Sequence, residues 1–94
     1  MNVLRQAAID YFATRRALGF KLARSEKLLA QFITYLEQLG ETHITTEKTV
    51  AWAVLPQAGQ TWSYARLSVV RRFANYMRSI DPATEIPPTH VLVQ

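Results

Sequence analysis

Twenty consecutive residues, Thr61–Ile80, hold four arginines (Arg66, Arg71, Arg72 and Arg78) and no acidic side chain. Read at about 100° per residue, the stretch divides into two sides. Leu67, Val70, Phe73, Ala74 and Met77 share an apolar arc, widened by Trp62, Val69, Tyr76 and Ile80. Tyr64, Ser68, Arg71, Arg72, Asn75 and Arg78 fall opposite. Such a helix buries one face in a core and offers the other to water or to a negatively charged surface. Thr61 is placed to cap it, and Asp81-Pro82 ends it, because proline restricts the residue before it and cannot extend the hydrogen-bond ladder.

The preceding chain repeats the helical period. Val3–Leu18 reads as a first helix, with Val3, Leu4, Ala7, Ala8, Tyr11, Phe12 and Leu18 at apolar spacing. Arg15 and Arg16 suit the negative end of its dipole, and Gly19 is a natural stop. Glu26–Leu39 reads as a second helix, with Ser25 as its cap or with Ala23 and Arg24 already in its first turn. Leu28, Leu29, Phe32, Ile33, Tyr35, Leu36 and Leu39 form its apolar face, and Gly40 ends it. Thr45 or Thr46 caps a short third helix, about Glu47–Val54, which is expected to bury Val50, Ala51, Trp52 and Val54 before Pro56 stops it. Four amphipathic helices on short loops predict an all-α, compact four-helix bundle.

Ninety-four residues suit one domain. Its expected span is 1–82, with 83–94 a linker, since Ile86-Pro87-Pro88 is extended in character. A linker with nothing after it suggests that the natural chain continues into a further domain.

Eleven Lys and Arg against seven Asp and Glu give a formal charge of +4, and eight of the eleven are arginine. The planar guanidinium fork suits phosphate, so this balance favours a nucleic-acid partner. With no cysteine, disulfides and thiol chemistry are excluded. No apolar run approaches the ~18 residues of a membrane span. A cytoplasmic address follows as the expectation, with no membrane and no small-molecule substrate as partner.

Catalytic and metal patterns are missing. His43 and His90 have no second ligand at metal spacing. Glu26 and Glu37 are about 16 Å apart along a helix, too far to work as a pair. Three scattered glycines cannot build a phosphate loop. No serine or tyrosine has an adjacent histidine base. This stretch alone is therefore expected to be no enzyme, without cofactor or metal. What remains is charge: Arg15, Arg16, Lys21, Arg24 and Lys27 around the first connection, and the four arginines of the last helix. Arg66 projects toward the apolar arc, where it either snorkels over the core edge or reaches from a helix start toward a groove.

The order of motifs resembles a known family. Thr61 followed by Arg66-Leu67-Ser68-Val69-Val70-Arg71-Arg72-Phe73 is similar to a signature of the tyrosine recombinases, or phage integrases, in their N-terminal core-binding domain. Leu28-Leu29, Phe32, Tyr35-Leu36 and Gly40 match the run on the family's second helix. Ile44-Thr45 matches the entry to the third, and Asp81-Pro82 with Ile86-Pro87 resembles the bridge into the catalytic domain. Arg16-Ala17-Leu18-Gly19-Phe20-Lys21 is similar to one branch of integrase-like proteins. The resemblance spans about Arg5 to Pro88.

It implies a SAM-like bundle that clamps double-stranded DNA, with helices two and four at the major groove and neighbouring recombinase protomers as further partners. Carried over by position, Lys21, Arg24, Ser63, Arg66 and Arg71 are the first DNA-contact candidates, followed by Lys27, Ser68, Arg72 and Asn75. Lys21 and Ser25 depart from many relatives. The family's catalytic residues, two Arg, a Lys, a His and the nucleophilic Tyr, lie in the other domain, and none is assigned here. The competing reading is a helical protein–protein adaptor using an apolar patch around Trp62 and Tyr76.

Overall fold

The computed structural model describes residues 3–19, 23–55 and 59–88, with backbone alone over 59–62. It holds four helices, α1 (Val3–Ala17), α2 (Ala23–Gln38), α3 (Thr46–Ala53) and α4 (Gly59–Met77), and no strand among the described residues. The all-α expectation is met.

Local chemistry explains most of the boundaries. Gly19 and Gly40 take φ of +92° and +73°, the left-handed region that a side chain disfavours. At Gly40 the stop is a full Schellman arrangement: the Glu41 amide donates to the Leu36 carbonyl (2.9 Å) and the Gly40 amide to Glu37 (3.1 Å). Thr45, rather than Thr46, caps α3; its hydroxyl accepts from the Lys48 amide at 3.2 Å. The next orphan amide, that of Thr46, donates to the Glu85 carboxylate at 2.8 Å, so a residue 39 positions away completes the cap.

Two helices, α2 and α4, depart from the sequence reading by more than one residue. Helix α2 starts at Ala23, which resolves the alternative left open there. Helix α4 starts two residues before Thr61 and ends at Met77, three short of Ile80. There the Met77 carbonyl accepts from both the Ile80 and Asp81 amides (2.9 and 2.7 Å), a tight turn that leads the chain back toward the bundle. Ile80 is consequently half exposed instead of joining the apolar arc, as are Leu39 and, more fully, Val3 and Leu18 at helix ends.

Helix α4 is central, packing against α1, α2 and α3, while α1 and α3 make no contact among the described residues. Leu29, Phe32, Ile33 and Leu36 of α2 meet Val70, Phe73, Ala74 and Met77 of α4 in one buried cluster. Tyr11 closes the α1 side, with its ring edge-on to Phe73 at 5.5 Å and tilted against Tyr76 at 5.0 Å. Trp52 closes the α3 side against Phe32 at 5.1 Å. Helix α3 buries Thr49, Trp52 and Ala53, one stripe at helical spacing; Val50 is half-buried and Ala51 and Val54 are exposed, contrary to expectation. Burial of Thr49 is tolerated because its hydroxyl donates to the Thr45 carbonyl at 2.7 Å.

The segment after α4 is docked. Thr84 and Pro87 are buried, and Ile86 packs against the core cluster. The Glu85 amide donates to the Ile44 carbonyl at 2.9 Å. This strap crosses the start of α3, where Glu85 supplies its cap, and it returns to the flank of α4.

Candidate nucleic-acid interface

The arginines of α4 part company in the folded chain. Arg66 turns inward. It is half-buried, its guanidinium lies 4.6 Å from the Trp52 ring centroid, and its Nη1 donates to the Trp52 carbonyl at 2.8 Å. Its Nε is buried without a hydrogen-bond partner. Of the two orientations open in the sequence, the one over the core edge is observed. Sitting at the carboxyl end of α3, the cation also faces the negative end of that helix.

Arg71 and Arg78, the latter just past the end of α4, lie seven residues apart on one flank, because seven residues make nearly two turns. Both reach the strap. Arg71 Nε donates to the Pro87 carbonyl at 2.8 Å, and Arg78 Nη1 donates to the Thr84 carbonyl at 3.4 Å. Arg72 follows Arg71 in sequence but is rotated about 100° away. It is exposed, and makes no hydrogen bond or ion pair among the described residues.

Ser68, Arg72 and Asn75, spaced four and three apart, form one outward stripe, and Tyr64 extends it by a turn. Tyr64 and Asn75 are exposed and Ser68 is half-buried. Asn75 Nδ2 donates to the Arg71 carbonyl one turn back at 3.0 Å, which fixes the amide against the helix. Ser63 is half-buried at the other end.

The first basic group meets this stripe. Helix α2 begins beside the middle of α4: Ser25, Val69 and Arg72 line one small cavity of about 20 Å³ together with Tyr11, Phe12 and Arg15 of α1. Arg24 and Lys27 are exposed in the same N-terminal part of α2. Arg16 turns the other way, into an ion pair with Glu26 across the α1–α2 seam. There a shallow groove of about 290 Å³ runs over Ala8, Ile9, Phe12, Ala30 and Ile33. Arg5 closes its far end by pairing with Glu37 at 2.7 Å.

Of the nine candidates, then, Arg24, Lys27, Arg72 and Asn75 are exposed, with Ser68 beside them on the α4 stripe. Arg66 and Arg71 are committed to internal acceptors, Ser63 lies toward the start of α4, and Lys21 lies outside the described residues. Arg15 belongs to the first basic cluster of the sequence but is not one of the nine candidates; it comes to line the same cavity as Arg72 because α1 packs on α4. Its guanidinium lies 5.3 Å from the Tyr11 ring centroid. The patch invoked for the adaptor reading is reduced, since Tyr76 is half-buried against Tyr11 and Phe73; Trp62's side chain lies outside the described residues.

No group of three potential metal ligands occurs among the described residues, and none of their helices is long and apolar enough to cross a membrane. No family model matches the chain, and no solved structure matches it significantly. A curated relative does. The chain is 45% identical over 93 residues, 98% of its length, to a Sinorhizobium fredii protein named "Putative integrase/recombinase y4rB". The chain is related to the tyrosine recombinase family. It spans about 30% of the length of that relative, so the match is to one part of a longer recombinase. The four-helix fold, without strands among the described residues, is consistent with an all-α integrase N-terminal domain. In this recombinase relative the signature run Arg66–Phe73 thus has two roles. Leu67, Val70 and Phe73 build the core, and the polar positions between them are divided among the α3 seam, the strap and the open stripe.

Proposed function

We propose that this chain is the core-binding, SAM-like domain of a site-specific tyrosine recombinase, and that it grips duplex DNA for strand exchange carried out elsewhere in the protein. The observation that carries this reading is the junction of two basic elements on one side of the bundle. The first turns of α2, with Arg24 and Lys27, meet the open stripe of α4, with Ser68, Arg72 and Asn75, at the small cavity that Ser25 and Arg72 both line.

Such a surface holds DNA chiefly through its phosphates. Cations displace condensed counterions, while Ser and Asn side chains fix the register. Lys21 adjoins the same basic run in sequence and belongs to the proposed surface. Arg66 and Arg71 serve it indirectly, by setting the position of α3 and of the strap. The domain extends through the docked strap to about Pro88, and the connector to a catalytic domain begins there. The nucleophilic tyrosine and its partners belong to that second domain, neighbouring protomers share the DNA, and the whole acts in the cytoplasm.

The test is a binding isotherm of the 94-residue chain on duplex DNA at several salt concentrations. Affinity is expected to fall steeply with salt, by at least about fortyfold between 50 and 200 mM for three or more phosphate contacts. An isotherm that does not move with salt would rule the reading out.

A further inference from the structure

We infer that the strap is a latch that withholds Arg71 and Arg78 from the duplex, and that DNA releases it by offering phosphates to both guanidinium groups; the inference rests on the DNA-binding reading above. The two arginines border the open stripe. Asn75 lies four residues after Arg71 and three before Arg78, so it shares a face with both while belonging to the stripe. Arg78 follows the last residue of α4, but its amide still donates to the Ala74 carbonyl at 2.9 Å, which carries the row one residue further.

The docked strap gives these cations neutral partners. Arg71 reaches the Pro87 carbonyl at 2.8 Å, and Arg78 reaches that of Thr84 at 3.4 Å. Neither pairs with a carboxylate among the described residues. A phosphate adds the attraction of its own charge and can be gripped by two parallel N–H groups of the guanidinium fork. Docking also leaves a defect: Thr84 is 2% exposed, and its Oγ1 is buried without a hydrogen-bond partner. An unsatisfied buried hydroxyl favours the state in which it meets water. Against this stand the Glu85 carboxylate on the Thr46 amide, the Glu85 amide on the Ile44 carbonyl, and the apolar contacts of Ile86 and Pro87. Opposed terms of this kind give the strap two states, docked and released, and a ligand that prefers one of them shifts the balance. The duplex prefers the released state, which adds two cations to its surface. Strap docking therefore weakens duplex binding by the same factor by which the duplex weakens docking.

The experiment reads both sides of that linkage in the 94-residue chain. Adding duplex to the parent chain is expected to quicken hydrogen exchange at the Glu85 amide by about fivefold or more. Unchanged or slowed exchange there would overturn the latch. Glu85→Asp keeps the charge but draws the carboxylate back from the Thr46 amide, and Ile86→Ala thins the apolar hold. Each is expected to quicken the same exchange without DNA and to tighten duplex binding by about fivefold, measured by anisotropy across a salt series. The slope of log affinity against log salt steepens by ~0.9 for each arginine that reaches a phosphate. In an Arg71→Gln, Arg78→Gln background the same two changes bring no gain.

A loosened strap with duplex binding unchanged or weakened would overturn the latch, and so would a gain that survives without the two arginines. Exchange that neither change quickens would overturn it too, because a strap held that firmly has no released state to offer. A circular dichroism melt checks that the helices persist, and either variant alone decides the matter where the other loses its fold. Failure of the DNA reading looks different: the parent chain and both loosened variants then bind no duplex at any salt concentration, which sinks the latch with it.

Discussion

Arg71 and Arg72 are neighbours in the chain and opposites in the molecule. Arg71 is tied to a carbonyl of the strap; Arg72 stands open beside the start of α2. One residue of helix, about 100° of rotation, separates a structural brace from a surface cation. A cluster of positive charge in sequence is thus a poor measure of positive charge on a surface. Of the four arginines in Thr61–Ile80, three spend hydrogen bonds on backbone carbonyls of α3 or the strap, and the fourth does not. The contrast also explains how a fold with this small a core holds a non-helical segment in place: guanidinium groups satisfy carbonyls that neither a helix nor a sheet would cover.

Substitution along α4 can break this contrast. The largest loss of stability is expected at Arg66. Arg66→Ala removes a partly buried cation–π contact and a charged hydrogen bond to the Trp52 carbonyl, a cost of about 2–3 kcal/mol in urea unfolding. A cost below about 0.5 kcal/mol would mean that the guanidinium does not hold α3.

Arg71→Ala is expected to cost about 1.5 kcal/mol, the low end for one hydrogen bond from a charged donor. The strap should report it first, through faster hydrogen exchange at the Glu85 amide, which bonds to Ile44. Unchanged exchange there would dissociate Arg71 from the strap. Arg72→Ala is expected to change stability by less than about 0.5 kcal/mol, as exposed sites generally do. It should nonetheless weaken duplex binding more than either of the others, after correction for the folded fraction. If Arg71→Ala weakened binding as much with the fold intact, the distinction between brace and surface cation would collapse.

The helices were legible because their determinants are local. Apolar spacing, the left-handed glycines 19 and 40, and a threonine before α3 act within a turn or two of themselves. The strap was not legible, since Ile86-Pro87-Pro88 looks like a free extended linker until Thr84 and Pro87 are seen buried. Helix α3 misled for a related reason. Val50 and Val54 have the apolar spacing, but the partner surfaces lie on the side of Thr49, Trp52 and Ala53, and a threonine is buried there because a neighbouring carbonyl accepts its proton.

The sequence by itself determined that this is an all-α chain with an arginine-rich last helix, and its motifs pointed to the recombinase family. These depend on periodicity and on side chains that act on their own backbone. Which arginine faces outward was decided only in three dimensions. The acceptors that capture Arg66, Arg71 and Arg78 lie 6 to 16 residues away, and the small cavity that Arg72 lines exists only where α1, α2 and α4 come together. A guanidinium goes to whichever partner the packing brings within reach, and packing is a property of the whole bundle.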